Sequence, residues 1–198
     1  MVTILVLVAT ISAGVLGFVN VTTRPMIKRN ELRKLRESVL GSVNISYEQD
    51  KLEDKFKSEI KEQEIKGEKF YLRYGDEGNL REVAFRVSGS GFQGPISAII
   101  SLKPDLETIV GMRILDHQET PGLGARISEP DFLSQLEGKI VKPQLLIVQN
   151  PGDANNKVDA ITGATRTSKA VQGIINDHVS KVRNKILTEK VMERLSHE

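Results

Sequence analysis

The sequence predicts an α+β fold, an antiparallel sheet packed with helices, preceded by one N-terminal transmembrane helix. Three observations predict it. Residues 2–21 form an uncharged apolar run. Residues 70–115 alternate short strand-like segments with tight turns, and residues 167–194 place apolar side chains at helical spacing. Strands that follow one another through short turns pair antiparallel, and such a sheet needs helices to cover it.

The first element, VTILVLVATISAGVLGFVNV, holds no charge. About twenty residues at 1.5 Å rise each span a bilayer core. Thr3, Thr10, Ser12 and Asn20 can bond to their own backbone or to neighbouring helices. A cleaved signal peptide normally carries a basic n-region and an A-x-A-like site, and neither is present. A buried core helix is seldom met as a run this long and this apolar, so the anchor is the reading. Arg24, Lys28, Arg29, Arg33 and Lys34 follow the span and only Met1 precedes it. Charge counting alone would keep the main domain in the cytoplasm. The missing basic flank leads to the expectation of a start-site choice or trimming at the N-terminus.

Pro25 follows the span. Ile27, Leu32, Leu35, Val39 and Leu40 then recur among charges, predicting an amphipathic juxtamembrane helix that ends near Gly41. Residues 51–69 are dense in charge of both signs and read as a solvated helix or linker. The expected domains are therefore an anchor over 1–22, a juxtamembrane helix and charged linker over 23–69, and a soluble domain over 70–198.

Strands are expected from Phe70. Residues 70–74 and 80–87 flank a Gly75-Asp76-Glu77-Gly78-Asn79 turn and read as a hairpin. Val83, Phe85 and Val87 alternate with Glu82, Ala84 and Arg86, which predicts one buried and one wet face. A glycine-rich loop over 88–95 leads into an apolar strand over 96–102, and Lys103-Pro104-Asp105 turns the chain into a strand over 107–115. After a loop over 116–126 comes a short helix, with Ser128 as cap, Pro130 in its first turn and Gly138 at its end. Residues 144–149 read as another strand. The closing helix has the apolar stripe Val171, Ile174, Ile175, Val182, Ile186 and Val191.

Composition excludes several classes. There are 28 Lys plus Arg against 26 Asp plus Glu, a net +2, so nothing argues for a nucleic-acid-binding face. Trp is absent and Cys is absent, which removes disulfides, thiolate metal sites, Cys-ligated iron–sulfur clusters and a Cys nucleophile. His117, His178 and His197 form no spaced ligand motif, and no metal site is expected. Any redox chemistry must come from an organic cofactor.

The most informative stretch is Asp159-Ala160-Ile161-Thr162-Gly163-Ala164-Thr165-Arg166-Thr167-Ser168. Ile161 closes a strand, Thr162-Gly163-Ala164 makes a tight turn, and Thr165 stands at the start of the last helix. Such a turn exposes a hydroxyl and admits a bulky group, while free helix N–H groups suit a phosphate. Arg166 and Lys169 add positive charge. Asp159 is placed to orient a hydroxyl or hold a metal. The same residues also suit an ordinary N-cap and turn, and their spacing does not separate the two readings. A second stretch, Glu119-Thr120-Pro121-Gly122-Leu123-Gly124, can form a turn presenting Leu123 outward, with Glu119 and Thr120 able to hydrogen-bond a ligand, or it is a plain β-to-helix turn.

These two stretches, with Gly91-Phe92-Gln93-Gly94-Pro95-Ile96, resemble the FMN-binding domain family, most closely the G subunits of Rnf-type ferredoxin:NAD oxidoreductase complexes and the C subunits of sodium-pumping NADH:quinone oxidoreductases. Thr162 stands where Ser is common in the family. The resemblance implies FMN held covalently as a phosphoester on Thr165, installed by a separate FAD-dependent flavin transferase that recognises Asp159. It implies flavin contacts from Glu119, Thr120, Leu123, Gly124, Thr162, Gly163 and Ala164. It further implies a single-pass protein of the cytoplasmic membrane with its FMN domain on the extracytoplasmic side. The expected role is electron relay among the other subunits of an ion-translocating complex, with membrane lipid as a further partner and no independent catalysis. A membrane-anchored scaffold or sensor, with non-covalent flavin or none, is the alternative.

Overall fold

The computed structural model describes residues 1–186. Val191 and the helix end expected near Arg194 lie outside the described residues, as does the side chain of Ile186. The chain divides into two units, Met1–Leu35 and Arg36–Glu198. The division falls inside the expected juxtamembrane segment.

In the first unit the backbone is helical from Val2 onward, within α1 (Val2–Ser42). An 18-residue window has mean hydropathy 2.5 and none of it is buried, so this is a helix long and apolar enough to cross a membrane. Thr10, Thr22 and Thr23 each donate a hydroxyl to the carbonyl four residues back at 2.8 Å, which hides their polarity. The sequence reads two helices parted at Pro25, but the structure has one. Proline's fixed φ is already helical, so the helix continues through Pro25 at the cost of the bond to the Val21 carbonyl and of the ring's crowding against it.

The second unit is built on a five-stranded antiparallel meander in sequence order. Its strands are β1 (Ile60–Ile65), β2 (Glu68–Tyr74), β3 (Leu80–Ser90), β4 (Pro95–Leu102) and β5 (Ile109–His117). The expected hairpin is present as β2 and β3, with Phe70 opposite Phe85 and Leu72 opposite Val83. The first face buries Phe70, Leu72, Val83, Phe85, Val87 and Ile100 beneath α4 (Thr165–Ile186), whose Val171, Ile174, Ile175, Val179 and Val182 supply the other side of the core.

The opposite face is wet only in part, at Arg86 and Ser88, and here the sequence reading is corrected. Tyr71, Ala84 and Ile99 are buried on it. They are covered by the end of α1 and by α2 (Leu52–Glu59), which lies in the stretch read as a solvated linker together with β1. Phe56 meets Tyr71 edge-on at 6.2 Å, and Ser101 Oγ donates to the Ser42 carbonyl. The helix α1 closes in a Schellman motif. Ile45 N–H bonds to the Leu40 carbonyl at 3.0 Å and Asn44 N–H to Gly41 at 3.2 Å, with Asn44 at φ 55°.

The remaining elements set the site. The short helix α3 (Pro130–Leu133) has Glu129 at its N-cap position with no side-chain bond, so Ser128 does not cap it. Strand β6 (Leu146–Val148) does not join the main sheet. It pairs parallel with β7 (Lys157–Asp159). Side-chain amides of α4 hold β6 in place. Asn176 Oδ1 accepts from Leu145 N at 2.8 Å, Asn176 Nδ2 donates to the Leu145 carbonyl at 2.9 Å, and Gln172 Oε1 accepts from Ile147 N at 2.7 Å.

Candidate functional site

After β7 the chain makes one tight turn and enters α4. Ala164 N–H bonds to the Ile161 carbonyl at 2.9 Å, and Gly163 has φ +80°. That is the positive φ that the third residue of a type II turn requires. A Cβ on Gly163 would also stand 3.2 Å from Leu123 Cδ2. The two sequence motifs, about forty residues apart, therefore meet at this glycine.

The turn sorts the hydroxyls of the segment. Ser168 Oγ donates to the Ala164 carbonyl at 3.0 Å and accepts from Ile161 N at 3.1 Å, and Thr167 Oγ1 donates to Glu119 at 2.6 Å. Both residues are buried. Thr162 and Thr165 are exposed. Thr165 is the first residue of α4, and the first bond of that helix is Ser168 N–H to the Ala164 carbonyl. The amides of Thr165, Arg166 and Thr167 thus point out of the helix end with no side-chain cap among the described residues. They form an end suited to a phosphate.

The other side of the site is the loop after β5. Thr120 is exposed, and its carbonyl accepts from Leu123 N at 3.2 Å and Ala125 N at 3.1 Å, which fixes the turn. Leu123 points outward, 46% exposed. In the unit Arg36–Glu198 the other large hydrophobic residue left exposed, among the described residues, is Phe92 at 47%. It sits in the turn between β3 and β4, closed by Gly91 N–H to the Gly94 carbonyl at 2.8 Å, and the Arg166 guanidinium lies 4.5 Å from its ring centroid. Phe92 and Arg166 complete an apolar and cationic rim; the sequence marks Arg166 as positive charge beside the Thr165 turn, and Phe92 only through the Gly91–Ile96 resemblance.

Glu119 is not on that rim. It is 5% exposed, and both carboxylate oxygens are used within the protein. Oε1 accepts from Phe92 N at 2.7 Å and Gln93 N at 3.1 Å, while Oε2 accepts the Thr167 hydroxyl. Its carboxylate ties the turn at Phe92 and Gln93 to Thr167 of α4. Gly124, also buried, lies against it. A Cβ there would stand 2.6 Å from Oε2, and one on Gly91 would collide with Oε1. Burial pushes the Glu119 carboxyl up, but the bonds from Thr167, Gln93 and Phe92, with His117 nearby, hold it below its ordinary value.

Asp159 is exposed at the end of β7, before the turn. Its Oδ1 accepts from Asn150 N at 3.2 Å. With Arg126, Gln135, Ile161 and Thr162 it lines a pocket of about 160 Å³. Among the described residues no group of three or more His, Cys, Asp or Glu is placed to hold a metal.

The same end of the domain thus holds an exposed hydroxyl at a helix start, two exposed apolar side chains and a cation, chemistry that suits a planar group carrying a phosphate. Residues 91–180 match the FMN-binding domain family. The chain is similar to named subunits of ion-translocating oxidoreductases. It is 36% identical over 113 residues to the C subunit of the Na+-translocating NADH-quinone reductase of Yersinia pestis, covering 54% of this chain and 42% of that one. It is 34% identical over 113 residues to the G subunit of the ion-translocating oxidoreductase complex of Methanosarcina acetivorans, covering 57% of each. The crystal structure of the C subunit of the Na+-translocating NADH-quinone reductase of Parabacteroides distasonis has the same fold. Its TM-score is 0.71 at 27% identity, over 83% of this chain and 96% of that one. The chain spans about half the length of the curated relatives it matches.

Proposed function

We propose that this chain is a membrane-anchored electron-transfer subunit that carries FMN as a phosphoester on Thr165 and works within an ion-translocating oxidoreductase complex. The observation that carries the reading is the placement of Thr165. Its hydroxyl is exposed at the uncapped start of α4, while Thr167 and Ser168 beside it are buried and bonded. The match to the FMN-binding domain family and the named components of redox complexes support the cofactor and the role.

Each residue has a task in this reading. Thr165 supplies the ester oxygen, and the amides of the first turn of α4 take the phosphate charge. Leu123 and Phe92 give the ring system an apolar bed, and Arg166 adds a positive charge beside it. Thr120, Thr162, Gly163, Ala164 and Gly124 shape the turns around it. Asp159, exposed at the mouth of its own pocket, serves recognition by the flavin transferase. Bound FMN supplies the redox chemistry, and the protein fixes its place.

The apolar part of α1 anchors the chain in the cytoplasmic membrane in contact with lipid, and the FMN domain faces the extracytoplasmic side, as in the family it resembles. The basic residues 24–34 oppose that side by charge count, and assembly with other subunits overrides them. The chain has no Cys, so one placed at exposed Ser58 and challenged with an impermeant maleimide in intact cells reads the side directly.

The decisive test is co-expression with a flavin transferase followed by intact and peptide mass measurement under denaturing conditions. FMN less one water should appear on the peptide holding Thr165 and vanish in Thr165→Ala. An unmodified chain beside a modified control would overturn the reading and leave the scaffold or sensor alternative.

A further inference from the structure

We infer that Glu119 is a positioning residue: its carboxylate fastens the Phe92 turn and the first turn of α4 to one another, so that Phe92, Leu123 and the Thr165 hydroxyl share one rigid frame. Three segments far apart in sequence converge on this one side chain. The turn between β3 and β4 gives two amides, Phe92 N–H and Gln93 N–H, to Oε1. The helix α4 gives the Thr167 hydroxyl to Oε2. The loop after β5 carries the carboxylate itself, and its own Glu119 N–H bonds to His117 Nδ1 at 3.2 Å, which orients the loop as it leaves the strand.

The arrangement has the features of a dedicated support rather than an incidental bond. A loop carboxylate normally stays in water, and burying one is costly unless its lone pairs are filled. Here they are filled by donors from two other segments. Bonds to an ionised acceptor are roughly twice as strong as neutral ones, and all three here are of that kind. The local backbone is fitted to the carboxylate, since Gly91 and Gly124 leave no room for a Cβ against its two oxygens. The residues that Glu119 holds are the neighbours of the exposed ones. Phe92 carries its own ring, Thr167 lies two residues beyond Thr165, and Leu123 lies four residues beyond Glu119 in the same loop. Removing the brace therefore loosens the rim without touching the β2–β3 and β3–β4 pairing that carries the core.

That the frame holds FMN rests on the function proposed above, but the frame can be measured without flavin. The full chain in detergent, unmodified, is followed by hydrogen–deuterium exchange in the wild type, Glu119→Ala, Glu119→Gln and Thr167→Val. In Glu119→Ala the amides of Phe92 and Gln93 should exchange about tenfold faster or more, the factor given by ~1.4 kcal/mol of lost local stability. The Phe85–Ile100 pairing should be unchanged. Gln can accept both amides and donate to the Thr167 oxygen, so Glu119→Gln should lie closer to wild type than to Ala. Thr167→Val, which removes one arm, should loosen the first turn of α4. With FMN attached, Glu119→Ala should lower the fluorescence anisotropy of the flavin. Wild-type exchange at Phe92 and Gln93 in Glu119→Ala would overturn the inference. So would equal loss of protection throughout the sheet, or a Gln variant as loose as Ala. Failure of flavin to attach to Thr165 would strike the proposed function and leave the exchange result standing.

Discussion

The Thr167 hydroxyl donates to Glu119 Oε2 at 2.6 Å across 48 residues of sequence, and both side chains are buried. A pair of bonds to the other oxygen, from Phe92 and Gln93, makes this carboxylate a meeting point of three segments. Its charge state is therefore linked to stability. Burial alone would raise the Glu119 carboxyl, but its hydrogen bonds hold it below the ordinary value. A group whose folded pKa is depressed adds stability above its unfolded pKa, about 4.3 for Glu, and loses that stability as pH falls through the folded value. The Tm difference between wild type and Glu119→Ala should therefore be largest above about pH 5 and narrow as the pH is taken below about 4. Thermal unfolding followed by circular dichroism across that range checks it. A difference that stays constant would show that the carboxylate's charge plays no part.

Gly163 carries two constraints at once, a φ of +80° and Leu123 Cδ2 at 3.2 Å from where a Cβ would stand. Gly163→Ala should cost about 1–2 kcal/mol, because a side chain must be held in the left-handed region or the turn must open. Urea unfolding of the full chain in detergent measures this. Flavin incorporation on Thr165 should fall with it, since the turn sets the approach to that hydroxyl. Full stability and full incorporation together would mean that the turn relaxes freely.

Much of the fold and site is legible in the sequence, and the reasons are specific. The Gly75–Asn79 turn between alternating segments marks the hairpin, and small residues before a capped-looking helix mark the Thr165 turn. What escapes the sequence is masked by charge. Leu52, Phe56 and Ile60 recur every four residues and are all buried, but most residues over 51–69 are Lys, Glu or Asp, and that density reads as solvated. The stripe is present but narrow, and its helical part covers the second face together with the end of α1. Glu119 escapes for a related reason. Nothing local distinguishes a solvated loop carboxylate from a buried one, because its donors come from residues 92, 93 and 167.

Asn176 reaches from α4 to bond both the N–H and the C=O of Leu145, as a neighbouring strand would. Asn176→Ala leaves both groups without that partner where they enter the parallel pair β6–β7. Leaving buried polar groups unmade costs about 1–3 kcal/mol each, and partial access of water to this site places the expected loss near 2 kcal/mol. Denaturant unfolding measures it. Asn176→Asp should restore only part, since a carboxylate accepts from the amide but cannot donate to the carbonyl. A fully restored Asp variant would assign the loss in Ala to packing instead.

Leu123 separates stability from function. It is 46% exposed, so removing it takes little from the core, and Leu123→Asn should shift the stability of the unmodified chain by no more than about 0.5 kcal/mol. If the isoalloxazine of an FMN on Thr165 lies against it, the same substitution replaces an apolar bed with a polar, hydrated one. The attached flavin should then become more mobile and more solvated, with lower anisotropy and altered emission, while the mass of the chain still shows full incorporation. Phe92→Ala should act in the same direction from the other side of the rim, and should also free the Arg166 guanidinium from the ring it now covers at 4.5 Å. Emission and anisotropy identical to wild type in both variants would place the flavin ring elsewhere on the domain, and would leave these two exposed side chains for contact with another protein.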